Sequence, residues 1–471
     1  MVHFGTAGWR GIVGQELTFR KVRLVTQAIV DTLRNDKPKA HLILVGYDTR
    51  MLSRKFASSA AQVIAGNGLE VRLPARDVAA PVLSSAITEN DADAGILFTA
   101  SHNPPEYNGL KYYTGDGILA PVGITNRIEE RCAEIESTFE DVFLPHPELI
   151  GDFDPKPRYL ARLQELIDWD TIRASGLTVA VDPLFGTSRG YLDHILLENK
   201  VPLSIIHNTR DPFFGGYAPE CTSENLTRLR DLMRRSGADL GLSTDGDGDR
   251  YGILDHGARL KDSSLTLALV LDYLIRRRGF KGGIGRTLAT SNLLDAVAHE
   301  HGLDIVETPV GFKNFGSMLV DGTLDFAGEE SAGMAWARHL PERDGILACL
   351  LVTEMVAVEG KRLYELGQDL FKRVGNFYFR RSQVPLTRKL DGLLERRMEQ
   401  EWSEIDGRKI AGVDRRDGLK LIFDGGGWLL IRRAGTEPKI RIYSEGRTKE
   451  EMRHLQHVAK KLLTNWRLGH V

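Results

Sequence analysis

The chain has 471 residues, of which 42% are hydrophobic and 27% charged, and its formal net charge is only −2. This length predicts about three or four domains, and the near-neutral balance is not that of a nucleic-acid-binding protein. Its three cysteines show no CxxC spacing, and no apolar run is long enough to cross a bilayer. We therefore expect a cytoplasmic protein that binds neither nucleic acid nor membranes and has no cysteine zinc site.

A recurring order of segments predicts three similar α/β domains with mixed sheets. In each repeat, a strand-like apolar run is followed by a loop of small residues and a helix-like segment, as in LILVGYDTR at 42–50. Later in the repeat, a second apolar run ends in a polar loop. Open α/β sheets bind ligands at the carboxyl ends of their strands, so these polar loops are candidate site loops. They are TASHNPP at 99–105, DGDGDR at 245–250 and GEESAG at 328–333.

Ser101 comes directly after an apolar strand-like run in the segment AGILFTASHNPP. Pro104 and Pro105 stiffen the backbone that follows, which is the rigid presentation that a nucleophile needs at a strand end. His102 and Lys111 place proton-handling or cationic groups nearby. The alternative is a serine in an ordinary Asn-Pro turn. A GxSxG elbow is absent from the sequence, which disfavours an acyl-transfer triad.

Asp245, Asp247 and Asp249 stand at alternate positions between two strand-like runs. Carboxylates this close together repel one another unless a hard cation lies among them, and oxygen ligands suit Mg²⁺ or Ca²⁺. An EF-hand is excluded, because Arg250 stands at its glycine position and His256 at its glutamate position. The alternative is an acidic Asp-Gly hairpin turn. Three aspartates would leave Mg²⁺ coordination open for a further oxygen ligand.

Glu329 and Glu330 in GEESAG are a second group of candidate functional carboxylates. Glycosidase carboxylate pairs stand on opposite sides of a sugar, whereas adjacent residues rarely face each other. We therefore expect this loop to bind sugar hydroxyls, and a helix N-terminus is the alternative. Upstream, VGFK at 310–313 offers a further cation, Lys313.

The final part of the chain predicts a smaller α+β domain, with the strands GWLLIRR and KIRIYSE and a helix from Thr448. Thr448 and Glu451 have the spacing of a capping box. The loop between the strands offers guanidinium groups, a hydroxyl and glycine-exposed amides, which a phosphate dianion requires; a basic hairpin tip is the alternative. Its candidates are Arg432, Arg433, Gly435, Thr436 and Lys439. The predicted domains are 1–150, 151–257, 258–375 and 376–471.

Taken together, these loops resemble the α-D-phosphohexomutase family, the group of phosphoglucomutases and phosphomannomutases. The resemblance covers essentially the whole chain. It rests on FGTAGWRG, TASHNPP, NGLK, DGDGDR, VGFK, GEESAG and RAGTEPKIR in this order. It implies four domains around a central cleft and a Ser101 that is phosphorylated in the active enzyme. It also implies a Mg²⁺ ion bound by that phosphoserine together with Asp245, Asp247 and Asp249.

The resemblance implies further roles for the candidate residues. Lys111 and Arg10 would handle protons and charge beside His102. Two positions depart from the family pattern: Ala434 replaces a common serine in the phosphate loop, and Ala80 stands where relatives often show threonine. The substrate-binding set would be Arg250, Lys313, Glu329, Ser331, Arg432, Gly435 and Thr436.

The implied reaction interconverts hexose 1-phosphate and hexose 6-phosphate. Ser101 gives its phosphoryl group to the sugar, the hexose 1,6-bisphosphate turns round, and its other phosphate returns to the serine. Glucose is the expected sugar, and a phosphomannomutase or dual-specificity mutase is the alternative. The amino-sugar branch usually shows glutamine at the position of Glu330, which argues against it. A serine-dependent sugar phosphatase and a catalytically silent sugar-phosphate sensor are two further alternatives.

Overall fold

The computed structural model describes residues 2–141, 145–435 and 439–468, which fold into four sheets flanked by helices. Thr436, a predicted phosphate-loop residue, lies outside the described residues. Within the described ranges, no helix is both long and apolar enough to cross a membrane.

Seven strands build the first sheet: β1 (Phe4–Gly5), β2 (Gly8–Ile12), β3 (Leu42–Tyr47), β4 (Glu70–Pro74), β5 (Ala94–Phe98), β6 (Tyr107–Thr114) and β7 (Ile150–Phe153). Their order is β1-β2-β6-β5-β3-β4-β7. Four helices accompany the sheet: α1 (Phe19–Asp36), α2 (Ser53–Gly66), α3 (Ala80–Glu89) and α4 (Val122–Ile135). Alternate residues of β3 enter two different apolar clusters, because helices cover both faces of the sheet.

The second and third sheets have four strands each. The second, in the order β11-β10-β8-β9, contains β8 (Val179–Asp182), β9 (Leu203–Ile205), β10 (Leu240–Thr244) and β11 (Tyr251–Leu254). The third, in the order β13-β12-β14-β15, contains β12 (Ile284–Thr287), β13 (Ile305–Thr308), β14 (Phe326–Glu329) and β15 (Gly333–Trp336). The helices here are α5 (Lys156–Leu166), α6 (Trp169–Ser175), α7 (Leu192–Glu198), α8 (Thr227–Ser236), α9 (Ser263–Arg278), α10 (Leu293–Glu300), α11 (Gly316–Val320), α12 (Gly345–Glu359) and α13 (Leu363–Val374).

These three sheets share one four-strand unit. In each unit the first strand pairs in parallel with the second and the third, and the fourth returns antiparallel to the third. The prediction of three similar α/β domains with mixed sheets is therefore confirmed. Because β7 pairs with β4, the first sheet continues past the predicted boundary at residue 150. The boundaries at residues 257 and 375 stay predictions.

The C-terminal sheet is antiparallel throughout, in the order β16-β21-β20-β19-β18-β17. Its strands are β16 (Tyr378–Pro385), β17 (Glu404–Ile405), β18 (Arg408–Asp414), β19 (Leu419–Phe423), β20 (Trp428–Arg433) and β21 (Lys439–Gly446). Two helices, α14 (Arg388–Met398) and α15 (Lys449–Leu468), pack with it. The predicted smaller α+β domain, with strands on either side of the phosphate loop, is confirmed.

Half of the predicted capping box forms at the start of α15. The Glu451 amide donates to Thr448 Oγ1 at 3.0 Å, as an N-cap requires. The Glu451 carboxylate accepts from the Arg447 amide at 2.7 Å, one residue before the amide that the box would use. The helix therefore starts where the sequence predicts, although its carboxylate has a different partner.

Helix α12 is apolar on all sides because it is buried between two domains. Its residues 345–356 are all buried, and it packs on α6, β10 and β11 as well as on α9 and β15. At its start the Asp344 carboxylate accepts from the Leu347 amide at 2.9 Å. The helix therefore joins the second and third sheets in a shared core.

Glu354 brings a charge into this buried helix, and its side chain has no solvent exposure. Its Oε1 accepts from Arg278 Nη1 at 2.5 Å and from the Tyr273 hydroxyl. Its Oε2 accepts from the backbone amide of Asp168 at 2.8 Å. The carboxylate is thus surrounded by donors from both sides of the contact between the second and third domains.

Glu354→Ala should lower the stability of the folded protein by about 3–5 kcal/mol, because Arg278 would be left largely buried without a counter-charge. The fall in the midpoint of thermal unfolding, followed by circular dichroism, measures the effect. As a control, Asp369→Ala removes an exposed ion pair with Lys361 at 2.8 Å. That change should cost less than about 1 kcal/mol. Equal midpoints for the two variants would contradict the assignment.

Candidate active site

Three loops at the carboxyl ends of strands meet in one cleft. They connect β5 to β6, β10 to β11 and β14 to β15, and they contain TASHNPP, DGDGDR and GEESAG. Ser101 of the first loop contacts Asp245 of the second, and Arg250 of the second pairs with Gly333 at the end of the third. Repetition of the same four-strand unit therefore brings the three predicted loops together.

Ser101 is buried and has a left-handed backbone conformation with a φ of 51°. Its amide donates to Thr99 Oγ1 at 2.8 Å, and its Oγ donates to Asp245 Oδ2 at 2.7 Å. His102 Nδ1 lies 3.3 Å from the same Oγ. A residue with a Cβ keeps this conformation only where its surroundings enforce it. The loop therefore holds the serine hydroxyl against the aspartate loop.

Arg50, which the sequence analysis did not predict as a site residue, holds this loop in place. Its Nη2 donates to the carbonyl oxygens of Ser101 and Asn103, both at 2.6 Å. Its Nη1 donates to the carbonyls of Pro104 and Tyr107 at 2.8 and 3.0 Å. The only sequence signal is a charged side chain just after a buried strand, in the segment LILVGYDTR.

The three aspartates are fully or almost fully buried, and one carboxylate oxygen from each lies within 4.8 Å of the others. Burial, and then the charges of Asp247 and Asp249, raise the pKa of Asp245 to about 8. Asp247 Oδ1 and Asp249 Oδ1 are buried and have no hydrogen-bond partner among the described residues. A small all-oxygen cluster with free acceptors fits a hard divalent cation such as Mg²⁺.

Lys111 lies between two of these carboxylates, and its side chain is 1% exposed. Its Nζ is 2.8 Å from Asp247 Oδ2 and 2.6 Å from Asp249 Oδ2. Burial favours the neutral amine, but the two carboxylates outweigh it and raise the pKa of Lys111. The side chain is therefore a fixed positive charge in the cleft.

Arg343 is a second site residue that the sequence analysis missed. Its Nη2 is 2.8 Å from Asp249 Oδ2, and its Nη1 donates to Glu329 Oε1 at 3.0 Å. Burial would raise the pKa of Asp249, but the Arg343, Lys111 and Arg250 cations hold that pKa well below its usual value. Arg343 thereby links the aspartate loop to the GEESAG loop. Its one sequence signal is its place directly before the acidic N-cap of α12.

The aspartate loop approaches the serine loop so closely that only glycine fits at position 246. A Cβ on Gly246 would lie 2.5 Å from the Ser101 carbonyl oxygen. The Asp247 carbonyl accepts from the Ala80 amide at 2.8 Å, and its carboxylate accepts from Thr99 Oγ1 at 3.2 Å. Because the Ala80 contact uses only the backbone, alanine at this position retains it.

Arg10 and His102 lie on the serine side of the cleft. Arg10 Nη1 donates to Asn103 Oδ1 at 2.5 Å. Burial, followed by the nearby charge of Arg250, lowers the pKa of Arg10 to about 10. Burial and the surrounding arginines also lower the pKa of His102 well below its usual value, so its ring is neutral. The structure thus places a neutral imidazole and a perturbed guanidinium near Ser101.

The sugar-loop candidates lie at the end of β14 and in the turn that follows, rather than at a helix N-terminus. Glu329 Oε1 accepts from Ser331 Oγ at 2.6 Å as well as from Arg343. Glu330 Oε2 accepts from Thr287 Oγ1 at 3.1 Å. The two glutamates therefore have different partners.

Two of the phosphate-loop candidates, Arg432 and Gly435, line a narrow cavity that residues of all four domains enclose. Arg432 Nη2 pairs with Asp417 Oδ2 at 3.0 Å, and Gly435 also lines the cavity. Arg250 and Arg441 reach the same cavity. The Nε atoms of all three arginines are buried and have no hydrogen-bond acceptor among the described residues, although Arg250 Nε lies 3.8 Å from Asp249 Oδ1. They can therefore donate to an anion. In the sequence, Arg441 stands out only as the last residue of the motif RAGTEPKIR.

Two of the cations predicted to bind substrate or phosphate do not line this cavity. Lys313 Nζ donates to the Gly5 carbonyl at 3.4 Å, and burial lowers the pKa of Lys313. It is not among the residues that line the phosphate-loop cavity, so its role stays a prediction. Arg433 pairs with Asp391 at 2.8 Å and Glu395 at 3.0 Å on the exposed side of the sheet.

A wider cavity of 740 Å³ opens beside these loops. It is lined by residues of three domains, among them Asp245 and Arg250 of the aspartate loop, Glu330 and Ser331 of the sugar loop, and Arg381 of β16. Its size and its mixture of charges suit a polar small molecule.

Comparisons with known proteins agree with this architecture. Four family models of phosphoglucomutase/phosphomannomutase match the chain in order. The alpha/beta/alpha domains I, II and III match residues 1–139, 157–258 and 262–374, and the C-terminal domain matches residues 393–461.

A "Phosphoglucomutase/phosphomannomutase" of Thermococcus kodakarensis is 31% identical over 98% of each chain. A "Probable phosphoglucosamine mutase" of Methanothermobacter thermautotrophicus is 28% identical, again over 98% of each. The crystal structure of a "putative phosphomannomutase" from Thermus thermophilus superposes with a TM-score of 0.85 at 29% identity, covering 98% of this chain and 99% of that one. The chain is an enzyme of the mutase type and belongs to the phosphoglucomutase/phosphomannomutase family.

Proposed function

We propose that the chain interconverts hexose 1-phosphate and hexose 6-phosphate in the cytoplasm, with glucose as the preferred sugar, and that Ser101 carries the transferred phosphoryl group. One observation supports this proposal: Ser101 Oγ donates a hydrogen bond of 2.7 Å to Asp245, which lies in a cluster with two more buried aspartates and the Lys111 cation. Phosphoryl transfer requires mainly positioning and charge stabilisation, and this cluster provides both.

Each half-reaction moves one phosphoryl group and one proton. The bond between phosphorus and Ser101 Oγ breaks, a sugar O–P bond forms, and the product is the hexose 1,6-bisphosphate. The proton that leaves the sugar hydroxyl ends on Ser101 Oγ, which needs one when its bond to phosphorus breaks. Arg10 stays protonated at neutral pH even though its pKa is lowered to about 10, and its proposed role is to supply positive charge beside the transferring group. His102, 3.3 Å from Ser101 Oγ, can exchange a proton with it as the bond breaks. The bisphosphate then turns round and returns its other phosphate to Ser101.

Asp245, Asp247, Asp249 and Ser101 are the proposed Mg²⁺ ligands. The buried Oδ1 atoms of Asp247 and Asp249 have no hydrogen-bond partner among the described residues, which supports this assignment. A bound Mg²⁺ supplies a Lewis acid that draws charge from the phosphoryl oxygens. Lys111 and Arg343 both contact Asp249, and they keep its carboxylate ionised and oriented.

Substrate recognition is divided between two loops in this proposal. Glu329 and Ser331 bind sugar hydroxyls, while Arg432, Gly435 and the neighbouring Thr436 bind the phosphate that is not reacting, together with Arg250 and Lys313. One loop can hold either phosphate, because the sugar turns round between the half-reactions. Glu330 favours glucose over an amino sugar, since the amino-sugar branch usually carries glutamine there.

Purified protein assayed with Mg²⁺ and a trace of glucose 1,6-bisphosphate tests the proposal directly. Glucose 1-phosphate should give the highest kcat/KM, mannose 1-phosphate a lower value and glucosamine 1-phosphate the lowest. A higher value for mannose would make the chain a phosphomannomutase. Release of inorganic phosphate instead of isomer would make it a phosphatase. The lining of the cleft by residues of several domains disfavours that outcome, because an enclosed substrate keeps water from the phosphoryl group.

Ser101→Ala should abolish turnover, because it removes the proposed carrier of the phosphoryl group, and it should leave the fold intact. Mass spectrometry of intact wild-type protein should show a species heavier by one phosphoryl group, and the variant should lack it. Ser58→Ala removes an exposed hydroxyl of α2 and should keep both the activity and the heavier species. Appreciable mutase activity in Ser101→Ala would contradict the proposal that Ser101 carries the phosphoryl group.

Removal of divalent metal with EDTA should suppress activity, and added Mg²⁺ should restore it. Asp247→Asn should raise the Mg²⁺ concentration needed for half-maximal rate, because it removes one carboxylate charge from a site of three. Asp231→Asn changes an exposed aspartate of α8 in the same domain and should leave that concentration unchanged. Full activity after exhaustive chelation would exclude the metal.

Arg432→Ala should raise KM for both glucose 1-phosphate and glucose 6-phosphate, because one loop binds the distal phosphate in either orientation. Loss of a charge-assisted contact predicts a fall in kcat/KM of roughly 10- to 150-fold. Arg433→Ala is the matched control, since the adjacent guanidinium pairs with Asp391 and Glu395 away from the cleft. Unchanged KM values in Arg432→Ala would remove this loop from the site.

A further inference from the structure

Three neighbouring strands of the C-terminal sheet carry an arginine on the same face. Arg432 of β20 lies opposite Arg441 of β21, and Arg441 lies opposite Gln383 of β16. Opposed residues of antiparallel strands share a face of the sheet, as do residues two apart on one strand. Arg381 comes two residues before Gln383, so it extends the row that Arg432 and Arg441 begin.

This row leads from the phosphate loop towards the nucleophile. Arg432 and Arg441 line the narrow cavity beside that loop. Arg441 and Arg381 line the next cavity, of 280 Å³, together with His102, the residue that follows Ser101 in the chain. Arg381 also lines the wider cavity of 740 Å³. Arg441 therefore borders both cavities, one beside the phosphate loop and one beside His102.

The far end of the row has unused donors. No ion pair or hydrogen bond of the Arg381 or Arg441 guanidinium occurs within the described ranges, and Arg441 Nε is buried without an acceptor. Tyr443, directly opposite Arg381, has a buried hydroxyl that is likewise unpartnered. Glu220 is the acidic residue among those that line the 280 Å³ cavity. Two guanidinium groups against one carboxylate leave a net positive site that suits a dianion.

We propose that Arg381 and Arg441 form a second phosphate subsite, specific for the hexose 1,6-bisphosphate intermediate. The inference rests on the function proposed above. A monophosphate bound through Arg432 carries no second phosphate of its own that could lie beside His102. Transfer from Ser101 creates that second phosphate, and the subsite then holds it while the sugar turns round. Arg381 thereby keeps the intermediate from leaving the enzyme.

Binding measurements on a non-reacting background test the subsite. In Ser101→Ala protein, calorimetry should show that Arg381→Gln weakens glucose 1,6-bisphosphate binding roughly tenfold, the loss expected for one charge-assisted contact. Glucose 6-phosphate binding should change much less. Arg381→Lys, which retains the charge, should recover part of the bisphosphate affinity. Arg388→Gln removes an exposed arginine of the same domain and should affect neither ligand.

Turnover gives an independent readout with Ser101 intact. Arg381→Gln should release free bisphosphate during catalysis, detected by chromatography, and should lose activity unless bisphosphate is added. Unchanged bisphosphate affinity, or an equal loss for both ligands, would overturn the second subsite. If the wild type converts no hexose phosphate, the proposed function fails, while the calorimetric comparison still decides whether Arg381 binds a second phosphate.

Discussion

The buried Arg50 guanidinium is the interaction on which the geometry of the cleft depends. Buried backbone carbonyls must be hydrogen-bonded, and one rigid guanidinium satisfies three of them in the loop that carries Ser101 and a fourth at the start of β6. Asp48, 3.1 Å from Arg50 Nε, provides the counter-charge. Both residues follow β3, which neighbours β5 in the sheet, so the nucleophile loop is anchored to its own domain and its left-handed conformation is maintained.

Charge compensation across domain boundaries is the second constraint. The first domain supplies Lys111, the second supplies the aspartates and the third supplies Arg343, and each cation contacts a carboxylate from another domain. In a buried site such attractions are strong, while any one of these charges left alone would be costly. The electrostatic site is therefore complete only when all three domains are assembled.

The sequence predicts the repeated sheets and their loops well, because strand periodicity and loop chemistry are local properties. The aspartate cluster is predictable for the same reason, since three carboxylates in one short loop must lie together. Arg50 and Arg343 could not be predicted, because their partners are backbone carbonyls and carboxylates distant in sequence. Arg432 and Arg433 show a further limit of prediction from sequence. Successive side chains of a strand point to opposite faces, so the two arginines must face opposite sides, but only tertiary packing decides which one faces the cleft.

The repeated four-strand unit also bears on how such a protein can diversify. Ser101, the three aspartates and the glutamates of GEESAG each lie at the end of a strand or in the turn that follows, and each in a different sheet. Under the proposed function, substitutions of Glu330 or Ser331 in the turn between β14 and β15 change sugar preference, whereas a substitution of Glu329 also reaches the aspartate loop, because Arg343 contacts both Glu329 and Asp249.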